Sequence, residues 1–179
     1  MHSTVKRYII TGGSGSGKSS IIKELQAKGY ACYPEISRTL IKEQQACGGE
    51  LLPWKNMEGF AVECFNRMHK QLMNQHESPV FFDRGIPDII AYLKSRDLPV
   101  RFDYAGYASY YNSQVFICPP WQEIFVNDQQ RPESFEQSKR IHQLLQKIYR
   151  NLNFKVIEVP RLSVNERANF ILSYIKPEN

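Results

Sequence analysis

The stretch Arg7-Tyr8-Ile9-Ile10-Thr11-Gly12-Gly13-Ser14-Gly15-Ser16-Gly17-Lys18-Ser19-Ser20-Ile21-Ile22 decides the fold. Its first five residues are apolar enough for a buried strand, and Ile21, Ile22 and Leu25 open a helical stripe that closes near Gly29. Between strand and helix, Gly12 to Ser19 fits G-x-x-x-x-G-K-[ST]. Chance would place those four fixed positions in a chain of this length on the order of once in a hundred sequences, and the strand-to-helix setting lowers that further.

The chemistry of this pattern follows from its geometry. Glycines let the backbone wrap round phosphate oxygens so that successive N–H groups point inward, and a helix N-terminus adds about half a positive charge at the same point. Gly12, Gly13, Ser14, Gly15, Ser16, Gly17, Lys18, Ser19 and Ser20 are therefore expected to cradle the phosphates of a nucleoside triphosphate, ATP by default. Lys18 would neutralise the β- and γ-phosphates, and the Ser19 hydroxyl would ligate Mg²⁺.

Further along, a strand near Tyr30 to Tyr33 stops at Pro34, and Ile36, Leu40 and Ile41 mark a helix ending around Gly48 and Gly49. Phe60, Ala61, Cys64, Phe65, Met68 and Leu72 recur at helical spacing, and Val80 to Asp83 is a third strand ending in an acid. A short helix is expected around Asp88 to Leu93, with no clear periodicity from there to Asn112. Val115 to Cys118 reads as a fourth strand, followed by loop composition from Gln122 to Glu133. Ser134 with Gln137 and Ser163 with Glu166 are capping boxes that open two more helices, and Lys155 to Val159 lies between them as a fifth strand. Alternation of this kind predicts an α/β fold of three layers: a five-stranded parallel sheet with helices on both faces and a ligand crevice at the carboxyl ends of the strands.

With 179 residues and 42% apolar content, the expectation is one domain over residues 1–179. No apolar run reaches the roughly 18 residues that span a bilayer, and no signal-peptide pattern opens the chain, so a cytoplasmic protein is expected. Cys32, Cys47, Cys64 and Cys118 form no Cys-x-x-Cys pair and read as buried reduced thiols. His2, His69, His76 and His142 lack metal-ligand spacing. The net charge of +5 is scattered along the chain, which suits a phosphate-bearing small molecule and gives nucleic acid no contiguous basic track.

Several polar residues fall near the expected crevice. Asp83 would hold a Mg²⁺-bound water or accept a proton from an attacking hydroxyl, the alternative being a turn-capping Asp; Arg84 would reach a phosphate. Glu35 and Arg38 are placed to recognise a second substrate, with an i, i+3 helix ion pair as the competing reading. Arg131 sits in a segment, 121–135, read as a lid that brings a guanidinium onto the transferring phosphoryl group. Asp88 reads as a helix-capping or surface residue, and Tyr104, Tyr107, Tyr110 and Tyr111 read as core aromatics sooner than as a base-stacking platform.

Taken together, the glycine loop, Pro34-Glu35-Ile36-Ser37-Arg38, Phe82-Asp83-Arg84-Gly85 with Pro87-Asp88, and Asn127-Asp128-Gln129-Gln130-Arg131 with Phe135-Glu136 resemble a family of small predicted ATPases. That family carries the label AAA and is similar to nucleoside and nucleotide kinases, including the kinase domain that phosphorylates nicotinamide riboside. The resemblance implies a P-loop NTPase fold, a lid carrying Arg131 and a substrate pocket near Glu35, Arg38, Asp83 and Arg84. It does not imply a mechanochemical ring machine, because Asp83-Arg84 stands where that class has Asp-Glu.

The leading functional expectation is a Mg-ATP-dependent phosphotransferase acting on a small nucleoside-like or metabolite acceptor, with ATP hydrolysis as a background activity. Its competitor is a nucleotide-dependent switch, using ATP or GTP, that recruits a protein or lipid partner. The absence of an Asn-Lys-x-Asp guanine-reading sequence weighs against GTP.

Overall fold

The computed structural model describes residues 6–74, 79–126 and 132–175. Five short strands, β1 (Arg7–Thr11), β2 (Ala31–Tyr33), β3 (Val80–Asp83), β4 (Gln114–Ile117) and β5 (Lys155–Glu158), form one sheet in the order β2-β3-β1-β4-β5. Every neighbouring pair is parallel. Parallel neighbours cannot be joined by a tight hairpin, so the chain returns through helices: α1 (Lys18–Ala27), α2 (Ile36–Cys47), α3 (Met57–Met73), α4 (Asp88–Lys94), α5 (Phe135–Asn151) and α6 (Val164–Ser173).

Period-two alternation divides the strand side chains between two cores. Ile9, Val80, Phe82, Val115 and Ile117 pack with α2, α3, α4 and α5, while Tyr8, Ile10, Phe81, Phe116 and Ile157 pack with α1 and α6. Both faces are covered, which is why these strands read as short apolar runs without polar alternation. The expected three-layer arrangement is the one observed.

Three connections carry detail that periodicity did not reach. Beyond α4, a 3₁₀ turn over Ala105–Tyr110 brings Tyr104 and Tyr111 into the core, where the Tyr111 hydroxyl accepts from the Ile86 N–H at 3.2 Å. Phe65 meets Phe102, Tyr104 and Tyr107 ring to ring, so these tyrosines build packing, as the sequence suggested, whereas Tyr110 stacks on Tyr107 but is 42% exposed and lies outside the core. The Asn56 side chain caps α3 by accepting from Gly59 N–H at 2.9 Å, and a short 3₁₀ turn, Gln122–Ile124, interrupts the stretch read as loop. The expectation of buried thiols holds for Cys64 and Cys118; Cys32 is half-buried and Cys47 is exposed near the end of α2, so it is corrected there. Among the described residues no helix is long and apolar enough to cross a membrane.

Candidate active site

The glycine loop leaves β1 between the two strands that flank it, β3 and β4, at the carboxyl edge of the sheet. Gly12, Gly15 and Gly17 take positive φ values of 140°, 72° and 83°, a region that costs an L side chain strain. Crowding adds to that at Gly12, where a Cβ would come within 2.5 Å of the Cys118 carbonyl oxygen. Two helices tie the loop from outside: Ser138 Oγ on α5 donates to the Ser14 carbonyl at 2.9 Å, and Arg167 on α6 donates to the Ser16 carbonyl at 3.4 Å. A loop whose carbonyls are bound from behind offers its N–H groups to an anion. Lys18 opens α1, is buried, and donates from Nζ to the Gly13 carbonyl at 2.9 Å. Ser20, next along α1, is exposed.

Parallel pairing sets Ile10 of β1 against Asp83 of β3, which delivers that carboxylate beside the loop. Ser19 Oγ donates to Asp83 Oδ2 at 3.2 Å, while Asp83 Oδ1 is buried with no hydrogen-bond partner. Burial, then the negative charge of Glu35, raises the Asp83 pKa to about 6; Lys18, Arg84 and the Ser19 hydroxyl oppose that rise. A hydroxyl and an unsatisfied carboxylate oxygen form the kind of sparse oxygen set that Mg²⁺ takes when phosphate oxygens and water complete its shell, so these residues fit that ion. Among the described residues no cluster of three or more His, Cys, Asp or Glu offers an all-protein cage.

Arg84 is no surface arginine. It is buried, holds φ at 75°, donates from Nε to Glu35 Oε1 at 3.1 Å and from a terminal nitrogen to the Gly12 carbonyl at 3.2 Å, and lies 5.0 Å from the Tyr92 ring centre. A non-glycine residue held in the left-handed region persists only where surrounding contacts over-determine it. Glu35, the residue before α2, is therefore anchored to the loop through Arg84, and Ser37 Oγ donates to it at 2.5 Å.

Asp88 overturns its reading as a capping or surface residue. It is 2% exposed and accepts from Thr11 Oγ1 at the end of β1, from the Tyr149 hydroxyl on α5, and from Gly85 N–H at 3.0 Å. Arg84 approaches it at 3.8 Å. A buried carboxylate requires such partners, and here they join β1, α5 and the turn after β3. Thr11, Tyr149, Ser138 and Arg167 are the residues the sequence reading missed. Each lies far from its partner along the chain, so no local spacing marks it.

Beside the loop opens a cleft of about 870 Å³, counting its open mouth. Ser14, Asp83, Arg84 and Asp88 form the wall shared with the loop, Glu35 and Arg38 come from the start of α2, and α3 and α4 supply apolar side chains. The structure thus brings together Lys18, Ser19, Asp83, Arg84, Glu35 and the half-buried Arg38. Arg131 and the rest of 127–131, at the centre of the expected lid, lie outside the described residues.

A glycine loop after β1, strand order β2-β3-β1-β4-β5 and a carboxylate at the end of β3 define a P-loop nucleotide-binding fold of the kinase type. A family model described as an AAA domain matches residues 7–167, and the chain belongs to that family. Among curated proteins none matches. Among solved structures, deoxyadenosine kinase from M. mycoides, with products dCMP and a flexible dCDP bound, superposes with a TM-score of 0.68 at 17% identity over 94% of this chain and 97% of that one. Shikimate kinase from Acinetobacter baumannii in complex with shikimate gives 0.62 at 17% identity over 96% and 93%. NadR protein in complex with NR gives 0.66 at 15% identity over 98% of this chain, which spans 53% of that one. At such identities the likeness is one of fold.

Proposed function

We propose that this chain is a Mg-ATP-dependent phosphotransferase that moves the γ-phosphoryl group onto a hydroxyl of a small nucleoside-like or metabolite acceptor held in the cleft. The observation that carries this reading is the shared wall: Ser14 and Asp83 belong to the phosphate end of the site and also line the cleft. A donor in the loop and an acceptor in the cleft would meet there. That the fold neighbours include kinases holding nucleotides in one case and shikimate in another supports phosphoryl transfer without naming the acceptor.

In this reading Lys18 neutralises the β- and γ-phosphates. Mg²⁺ held by Ser19 and Asp83 would offset the charge of the phosphate oxygens. Glu35 accepts the proton of the acceptor hydroxyl as its oxygen bonds to the γ-phosphorus; the bond from that phosphorus to the bridging oxygen breaks, and ADP leaves with the electron pair. Arg84 holds Glu35 in position and sets a guanidinium beside the path of the phosphoryl group. Arg38 helps to receive the acceptor, and Arg131 is assigned charge on the transferring group from sequence. A cleft that opens beside the loop favours transfer over a switch that only displays a nucleotide-dependent surface.

Calorimetric binding of ATP, GTP and ADP with Mg²⁺ to the wild type and to Lys18→Ala, followed by turnover with an acceptor panel, tests this reading. Tight binding lost in the variant, with turnover stimulated by an acceptor, is the expected result. Tight binding that no acceptor stimulates would transfer the assignment to the switch.

A further inference from the structure

The lining of the cleft is graded. At its inner end lie the buried carboxylates of Asp83 and Glu35, with Arg84 engaged by Glu35 and by the Gly12 carbonyl. Away from the loop its wall is apolar, built by Ile41, Met57, Phe60, Cys64, Met68 and Ile89 of α2, α3 and α4. Its exposed lining includes Trp54, 42% exposed, and Arg96, which mark the mouth, and the half-buried Arg38 lines it from α2. Among the described lining residues there is no Asn, Gln, Thr or His.

Each zone selects a part of a ligand. Side-chain amides supply the paired donor and acceptor that read the edge of a polar ring, and the described wall offers none; beside its apolar side chains stands one buried hydroxyl without a hydrogen-bond partner, that of Tyr92, so contact and dispersion dominate there. A phosphate or carboxylate at the inner end would face two carboxylates, whereas a neutral hydroxyl there can donate to one of them. At the mouth the same anion meets guanidinium groups suited to it. We infer that the acceptor is a ring-bearing alcohol with an anionic substituent: its hydroxyl points to Asp83 and Glu35, its ring lies on the apolar wall, and its negative group meets Arg38 and Arg96. The fate of the hydroxyl rests on the phosphotransferase reading; the order of the three zones does not.

The test separates the two. Binding of para-hydroxymethylbenzoate, benzyl alcohol, ribose and thymidine to the chain loaded with Mg-ADP is measured by saturation-transfer NMR, and transfer from Mg-ATP by phosphorus NMR. The benzoate is expected to bind about tenfold more tightly than benzyl alcohol and further still above ribose. Arg96→Ala should close the gap between the first two, and Met57→Gln, which sets an amide on the apolar wall, should weaken both while Mg-ADP affinity holds. Ribose or thymidine, neither of which carries an anionic group, as the tightest ligand, or an Arg96→Ala variant that keeps the full gap, would overturn the inference. Ring alcohol bound at the cleft yet never phosphorylated would uphold the graded site and overturn the phosphotransferase reading.

Discussion

The proposed phosphate cradle is one continuous stretch, Gly12 to Ser20, whereas the cleft beside it is assembled from α2, α3, α4 and the turn after β3. The cradle works through backbone: glycines at positive φ and a helix start make it, and its side-chain contribution reduces largely to Lys18 and Ser19. The cleft works through side chains whose positions depend on packing many residues away. Asp83 belongs to both, its Oδ2 receiving Ser19 from the cradle while the residue walls the cleft. The contrast teaches that nucleotide binding can be lost by one local change, while acceptor handling can be altered through partners that never touch a ligand.

Lys18→Ala should have the largest effect. Removing a buried ammonium from the phosphates is expected to weaken Mg-ATP about a thousandfold in calorimetry, at the upper end of what a charged contact supplies. A loss below tenfold would mean that backbone N–H groups alone carry the cradle. Glu35→Gln comes next, keeping an acceptor for Arg84 but removing the base. Turnover should fall about a hundredfold with Mg-ATP affinity unchanged, and equal losses in both would dissolve the distinction between the two regions.

Asp83→Asn sharpens the comparison through stability. The folded pKa of about 6 lies above the ordinary carboxylate value, so between pH 4 and pH 6 the folded chain holds more protons than the unfolded one and stability falls as pH rises. The variant escapes that loss. It should be about 2–3 kcal/mol more stable than the wild type at pH 7 without nucleotide, the difference vanishing near pH 4 in urea melts. A pH-independent difference would place the cause in packing. The smallest effect belongs to Tyr149→Phe, which takes one donor from Asp88 and should cost about 1–2 kcal/mol in thermal melts. If turnover then falls while Mg-ATP affinity holds, the network through Asp88 and Arg84 reaches the cleft from α5.

Legibility followed the same division. The glycine loop, the strand ending in Asp83 and both capping boxes are short-range patterns, and each stands where the sequence put it. Asp88 was misread because an acid at the start of a short helix looks the same whether it is solvated or buried. Its donors, Thr11 and Tyr149, stand 77 and 61 positions away. Arg84 gave a partial signal through its place after Asp83, but its left-handed backbone and its pairing with Glu35 across 49 positions did not show.

What the sequence alone determined about this protein is therefore the parallel α/β layering and the glycine loop between β1 and α1, because hydrophobic period, glycine and helix start act over a few residues. The tertiary structure decided the rest: which strands flank β1, the clamp of Arg84 on Glu35, the ties from Ser138 and Arg167 behind the loop, and the graded cleft. Those depend on buried polar groups finding partners that only the closed sheet and its packed helices bring within hydrogen-bonding distance.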